Sequence, residues 1–162
     1  MTNARSVVWV HADCLDPRGP ALTACPGAPA IFVFDDVVLE GYQISLKRIA
    51  FISSCLLDLP FPIRRGDVAK VVSAFAVEHG AARVVTSETP TPRFAVIAAE
   101  IGRMVPVDPL PVPPFVDLDD RVDLGRFSRY WRQAERLAFK RGPTAEPDAV
   151  RTLTLPGMDA VG

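Results

Sequence analysis

The chain has 162 residues, enough for one ordinary domain with a real core. Hydrophobic residues make up 49% and charged residues 23%, and the formal net charge is −1. That is the balance of a soluble globular protein, and it supplies no global field to recruit nucleic acid or an anionic membrane.

The N-terminus, MTNARSVVWV, lacks a long apolar core and a cleavage site, so no secretory signal is expected. Val7–Val10 is a continuous β-branched and aromatic run, which predicts a strand buried on both faces. It stops abruptly at His11, Asp13 and Cys14. After a Pro/Gly-rich connection, Ala30–Phe34 repeats the pattern and ends at Asp35-Asp36. From Ser45 to about Leu59, apolar residues at Leu46, Ile49, Ile52 and Leu56 follow a period near 3.6, with Ser45 as the cap. Phe61–Ile63 reads as a short strand restricted by Pro60 and Pro62. Asp67 caps a helix over Val68–His79, whose Val71, Val72, Phe75 and Ala76 share a face, and Gly80 suits the left-handed stop. Ala82–Thr86 reads as a strand, Pro92 to about Ile101 as a helix and Met104–Val107 as a last short strand. No run of apolar residues approaches the roughly 18 needed to span a membrane.

Strands alternating with helices predict an α/β domain over residues 1–142. Its form is a three-layer, Rossmann-like open parallel sheet of about five strands with helices on both faces. Residues 143–162 read as a Pro/Gly-rich tail. Cys14, Cys25 and Cys55 are odd in number and show no C-x-x-C spacing, which points to reduced thiols and a cytoplasmic protein.

A sheet of this kind places its ligand crevice at the carboxyl ends of the strands. The candidate binding residues are therefore Val10, His11, Ala12 and Asp13 after the first strand, and Phe34, Asp35 and Asp36 after the second. Ser87 and Glu88 follow the fourth. Arg48 joins them because Lys47-Arg48 stands in the first turn of a helix, where cations oppose the dipole and point to a charged ligand. The chain has no G-x-G-x-x-G after Val10 and no G-x-x-x-x-G-K-[ST], so neither a dinucleotide fingerprint nor a P-loop is present. The spacing of His11, Asp13 and Cys14 matches no zinc pattern, and no metal site is assigned. A Cys/His nucleophile would need a positioned pair and an orienting group. No catalytic residue is assigned, and the alternative function is a small enzyme that uses this loop on a nucleotide-like substrate.

The order VVWVHADCLDPRGPAL, IFVFDD, SLKRIAFISSCLLDL, IRRGDVAKVV, HGAARVVTSE resembles the N-terminal domain of the photolyase/cryptochrome family. The similarity runs from about Val7 to Leu137. It implies an α/β domain that holds a light-harvesting antenna (a folate, a deazaflavin or FMN), with Ser87-Glu88 at a place where the family contacts it. The family's catalytic flavin and DNA-lesion pocket belong to a separate helical domain, so FAD is not expected in this chain. The expected role is a non-catalytic module for DNA repair or light response. Where the family's first loop reads Arg-x-Asp-Leu-Arg, this chain has His11, Asp13, Cys14 and Leu15, and the loop reads as a diverged remnant.

The segment Gly125–Arg132 resembles the family's aromatic exit from this domain. Arg126, Arg129, Arg132, Arg136 and Lys140 recur every three or four residues, so a C-terminal amphipathic helix aligns them as a basic stripe beside Phe127, Tyr130, Trp131, Ala134 and Ala138. Arg126, Phe127, Arg129, Tyr130, Trp131 and Arg132 are the candidate docking residues. The expected partner is a separately encoded helical flavoprotein or a second copy of the chain; packing of the apolar stripe on the sheet is the simpler alternative. Direct nucleic-acid binding and membrane contact are not expected.

Overall fold

The structure, a computed structural model, describes residues 5–41, 44–57, 59–118 and 125–139. It divides into two compact units, Met1–Pro113 and Pro114–Gly162. The first unit contains β1 (Ser6–Val10), α1 (Pro20–Ala24), β2 (Ala30–Asp35), α2 (Asp36–Gly41) and α3 (Leu46–Leu56). It continues through β3 (Ile63–Gly66), α4 (Val68–Glu78), β4 (Arg83–Ser87), α5 (Pro92–Gly102) and β5 (Val107–Leu110). The strands form one sheet in the order β3-β2-β1-β4-β5, and every ladder is parallel. This is the α/β, Rossmann-like arrangement expected from the alternation of elements.

The two continuous apolar runs take the inner positions because strands covered on both faces have no polar side. Successive residues of β1 go to opposite faces. Val7 and Trp9 join Ile31, Val33 and Val84 under α4 and α5, while Val8 and Val10 join Phe32 and Val85 under α1 and α3. Helix α4 starts where the Asp67 side chain accepts a hydrogen bond from the Lys70 N–H at 3.2 Å. It ends before Gly80, whose φ of 57° is the left-handed conformation that glycine adopts without strain.

Two strands lie further along the chain than their apolar residues suggest. The third begins at Ile63 rather than Phe61: Pro62 has no N–H to donate and contributes only its carbonyl, which accepts from the Phe32 N–H. The fifth begins at Val107 rather than Met104, because the Met104 and Val105 N–H groups fold back onto the Ile101 carbonyl and extend the end of α5. Helices α1 and α2, of five and six residues, are too short to show a periodicity and were not expected. Among the described residues no helix is long and apolar enough to cross a membrane.

The second unit contains α6 (Phe127–Ala138). Trp131 stacks on Phe127, with centroids 5.8 Å apart, and meets Phe139 edge-on at 6.0 Å. Lys140 and the tail from residue 143 lie outside the described residues.

Candidate functional site

In a sheet ordered 3-2-1-4-5 the chain reverses direction between β1 and β4, and open α/β folds place their ligand crevice at that reversal. Here the crevice is filled by the protein's own hydrogen bonds. The His11 ring sits at the carboxyl end of β1 and donates from Nε2 to the Ser87 carbonyl at the end of β4, 2.8 Å away. A carbonyl only accepts, so this bond places the proton on Nε2 and leaves Nδ1 as an acceptor in the neutral ring. Nδ1 is buried and has no partner among the described residues. The Ser87 hydroxyl accepts from the Ala21 N–H in the first turn of α1 at 3.3 Å. The Thr86 hydroxyl donates to the Trp9 carbonyl at 2.9 Å.

Beyond the strand ends, Asp13 Oδ2 accepts from the hydroxyls of Thr89 at 3.1 Å and Thr91 at 2.8 Å, which ties the first loop to the start of α5. What is left of the crevice is a void of about 10 Å³ under Cys14, Gly19 and Ser87. Gly19 is required there: a Cβ would stand 2.9 Å from the Asp16 carbonyl oxygen and 3.0 Å from Cys14 Sγ.

An open space lies one strand over. A cavity of about 200 Å³ opens at the carboxyl ends of β1 and β2, under α2, α3 and α5. Its walls are mostly apolar, with Trp9, Phe34, Phe94 and Ile52 among them. Trp9 and Phe94 stack at 5.4 Å with an angle of 11° between the rings, and His11 leans against both. The polar groups in the lining are His11, Asp13, Asp35, Arg48 and Thr91. Asp35 is already engaged: Oδ1 accepts from the Val37 N–H at 3.0 Å and Oδ2 pairs with Arg93 of α5. Its side chain is only 11% exposed, so breaking that pair would leave a poorly solvated carboxylate. Arg48, in the first turn of α3, has no acidic partner among the described residues.

Of the residues singled out from sequence, His11, Ala12, Asp13, Phe34, Asp35 and Arg48 line this cavity. Val10 lines the small void instead, packed among Val8, Phe32 and Val85. Asp36 pairs instead with Arg65, 2.5 Å away, and the same guanidinium reaches Glu40 at 2.7 Å. The hydrogen bond and charge of Asp36 hold the Arg65 pKa above its ordinary value. Ser87 belongs to the closed crevice, and Glu88 is exposed, with its N–H donating to the Leu110 carbonyl at 2.7 Å. Trp9, Phe94 and Arg93 complete the site and carried no signal in the sequence beyond their elements; Phe94 read as an ordinary helix residue. Cys14 lines the small void and not the cavity, and no side-chain hydrogen bond joins it to His11. Among the described residues no three His, Cys, Asp or Glu side chains cluster as a metal site. The candidate docking residues lie in the second unit, Arg126 as the N-cap of α6 and Phe127, Arg129, Tyr130, Trp131 and Arg132 in its first turns, with the four other than Tyr130 and Trp131 exposed and those two half-buried.

Comparison with known sequence families and with characterised proteins finds no match. Comparison with solved structures finds a bacterial class III photolyase from Agrobacterium tumefaciens, with a TM-score of 0.55 and 18% identity over 83% of this chain and 32% of that one. The archaeal photolyase from Sulfolobus tokodaii, solved with two FAD molecules, matches with a TM-score of 0.54 and 13% identity over 81% of this chain and 35% of that one. This chain thus spans about a third of each photolyase, and what it shares with that third is the α/β fold.

Proposed function

We propose that the first unit is a binding module that holds one flat heteroaromatic ring system, of antenna or nucleotide type, in the cavity beside β1 and β2. The observation that carries this reading is the cavity itself: an apolar slot with stacked aromatics, and polar groups confined to a few positions, is the common form of a small-molecule site. At about 200 Å³ it is smaller than the roughly 300–1,000 Å³ of drug-sized sites, which suits a single ring system with its substituents outside. Folate, deazaflavin and FMN share that form. Arg48 at the edge of the slot favours a ligand with an acidic substituent. A role beside a flavin-bearing helical partner in light response or DNA repair fits the photolyase-like fold, with α6 as the docking element.

The competing enzyme reading draws no support from the geometry. Its imidazole is committed to the Ser87 carbonyl, its carboxylate to two threonine hydroxyls, and its thiol lines the small void and not the cavity.

The test is fluorescence titration of a Trp131→Phe protein, in which Trp9 is the one remaining tryptophan, with FMN, riboflavin, folate and a deazaflavin. At least one should quench Trp9 saturably. Phe94→Leu should weaken that ligand about tenfold through loss of ring stacking, and Arg48→Gln should weaken FMN more than riboflavin. Glu88→Ala should leave both unchanged. Failure of every ring to quench Trp9 removes the reading.

A further inference from the structure

The cavity and the closed crevice are neighbours, and two residues line both of them: Trp9 and His11. Trp9 is fixed by its stack on Phe94 and by burial in the sheet core. The His11 ring is held differently. One hydrogen bond, from Nε2 to the Ser87 carbonyl, closes it over the crevice, while its other nitrogen is buried without a partner among the described residues. Behind the ring, Gly19 and the Asp16 carbonyl leave the void of about 10 Å³.

We infer that the His11 imidazole is the partition between these two spaces and sets the size of ring the cavity accepts. The inference rests on the binding reading above and adds to it a residue that controls selectivity. With the imidazole in place a ligand is confined to the β1/β2 side. Without it the cavity extends across β1 to the crevice at β4, where a larger ring system fits.

His11→Ala and the milder His11→Val remove the partition, and His11→Phe retains a ring of similar size without the Ser87 bond. Two measurements follow in the Trp131→Phe background. The first is the melting temperature with and without 4-methylimidazole, which should rise for the folded truncations and not for the parent or His11→Phe. The second is the affinity ratio of a three-ring probe, lumichrome, to a two-ring probe, pterin. The ratio should increase at least tenfold in the truncations and stay near the parent value in His11→Phe. Truncations that leave the ratio unchanged while both probes bind the parent overturn the partition alone and leave the binding site standing. If neither probe binds the parent, the binding reading falls, and control of selectivity by His11 falls with it.

Discussion

At the scale of single residues, the site is shaped by contacts between positions far apart in the chain. His11 and Ser87 are 76 residues apart, and Asp35 and Arg93 are 58 apart. His11, Ser87 and Asp35 were visible in the sequence as polar residues at strand ends, but Arg93 and the pairings were not, because no local pattern encodes such a pairing. The sequence therefore marked the sheet edge at which this cavity opens and most of the cavity's polar lining. It left unread that the usual crevice is filled and that a cavity stands beside β2. Gly19 gives this closure a direct check. Its φ of −61° is ordinary, so any penalty for a side chain there comes from crowding alone. Gly19→Ala should push against the Asp16 carbonyl and Cys14 Sγ and cost about 1–3 kcal/mol in denaturant unfolding. A neutral substitution would mean that the first loop yields freely and that the crevice is not tightly closed.

At the scale of elements, legibility followed length and periodicity. The strands β1 and β2 and the helices α3, α4 and α5 were clear, because their apolar runs or faces are long enough to stand out. The five and six residues of α1 and α2 fall below that threshold, Pro62 delays β3 by having no N–H to donate, and the Met104 and Val105 N–H groups delay β5 by folding back onto the Ile101 carbonyl. The start of α4 shows a local signal that held at the atomic level. The Asp67 carboxylate accepts from the Lys70 N–H, and that bond is the main cause of its lowered pKa. A carboxyl group with a folded pKa below its unfolded value of about 3.9 stabilises the fold above that value, and the contribution disappears as pH falls through the folded pKa. Asp67→Ala should accordingly cost about 1 kcal/mol at neutral pH. The gap from the parent should narrow in acid, below the ordinary carboxylate range. Asp67→Asn, which caps without charge, should lose little at neutral pH and show no such narrowing. An Asp67→Ala penalty that is constant down to strongly acidic pH would assign the residue a role other than capping.

At the scale of the whole molecule, the first unit is self-contained. All five strands, both apolar clusters and the cavity lie within Met1–Pro113. Both sheet edges are unsuited to adding a further strand: β3 is four residues long and carries Arg64 and Arg65 beside Pro62, and β5 contains Pro109 and runs into Pro111, Pro113 and Pro114. Short, charged and proline-bearing edges discourage pairing with other chains. A unit with a two-sided core, closed edges and well over the roughly 60 residues at which single domains become marginal has what independent folding requires. Residues 1–113 expressed alone should therefore melt cooperatively, remain monomeric and bind the same ring ligand as the full chain within about twofold. Trp9 is the sole tryptophan of that fragment, so quenching reads the cavity directly. A fragment that folds but binds at least tenfold more weakly would show that residues beyond Pro113 contribute to the site. A fragment that does not fold would show that they complete the core, and α6 would then be a structural element rather than a docking one.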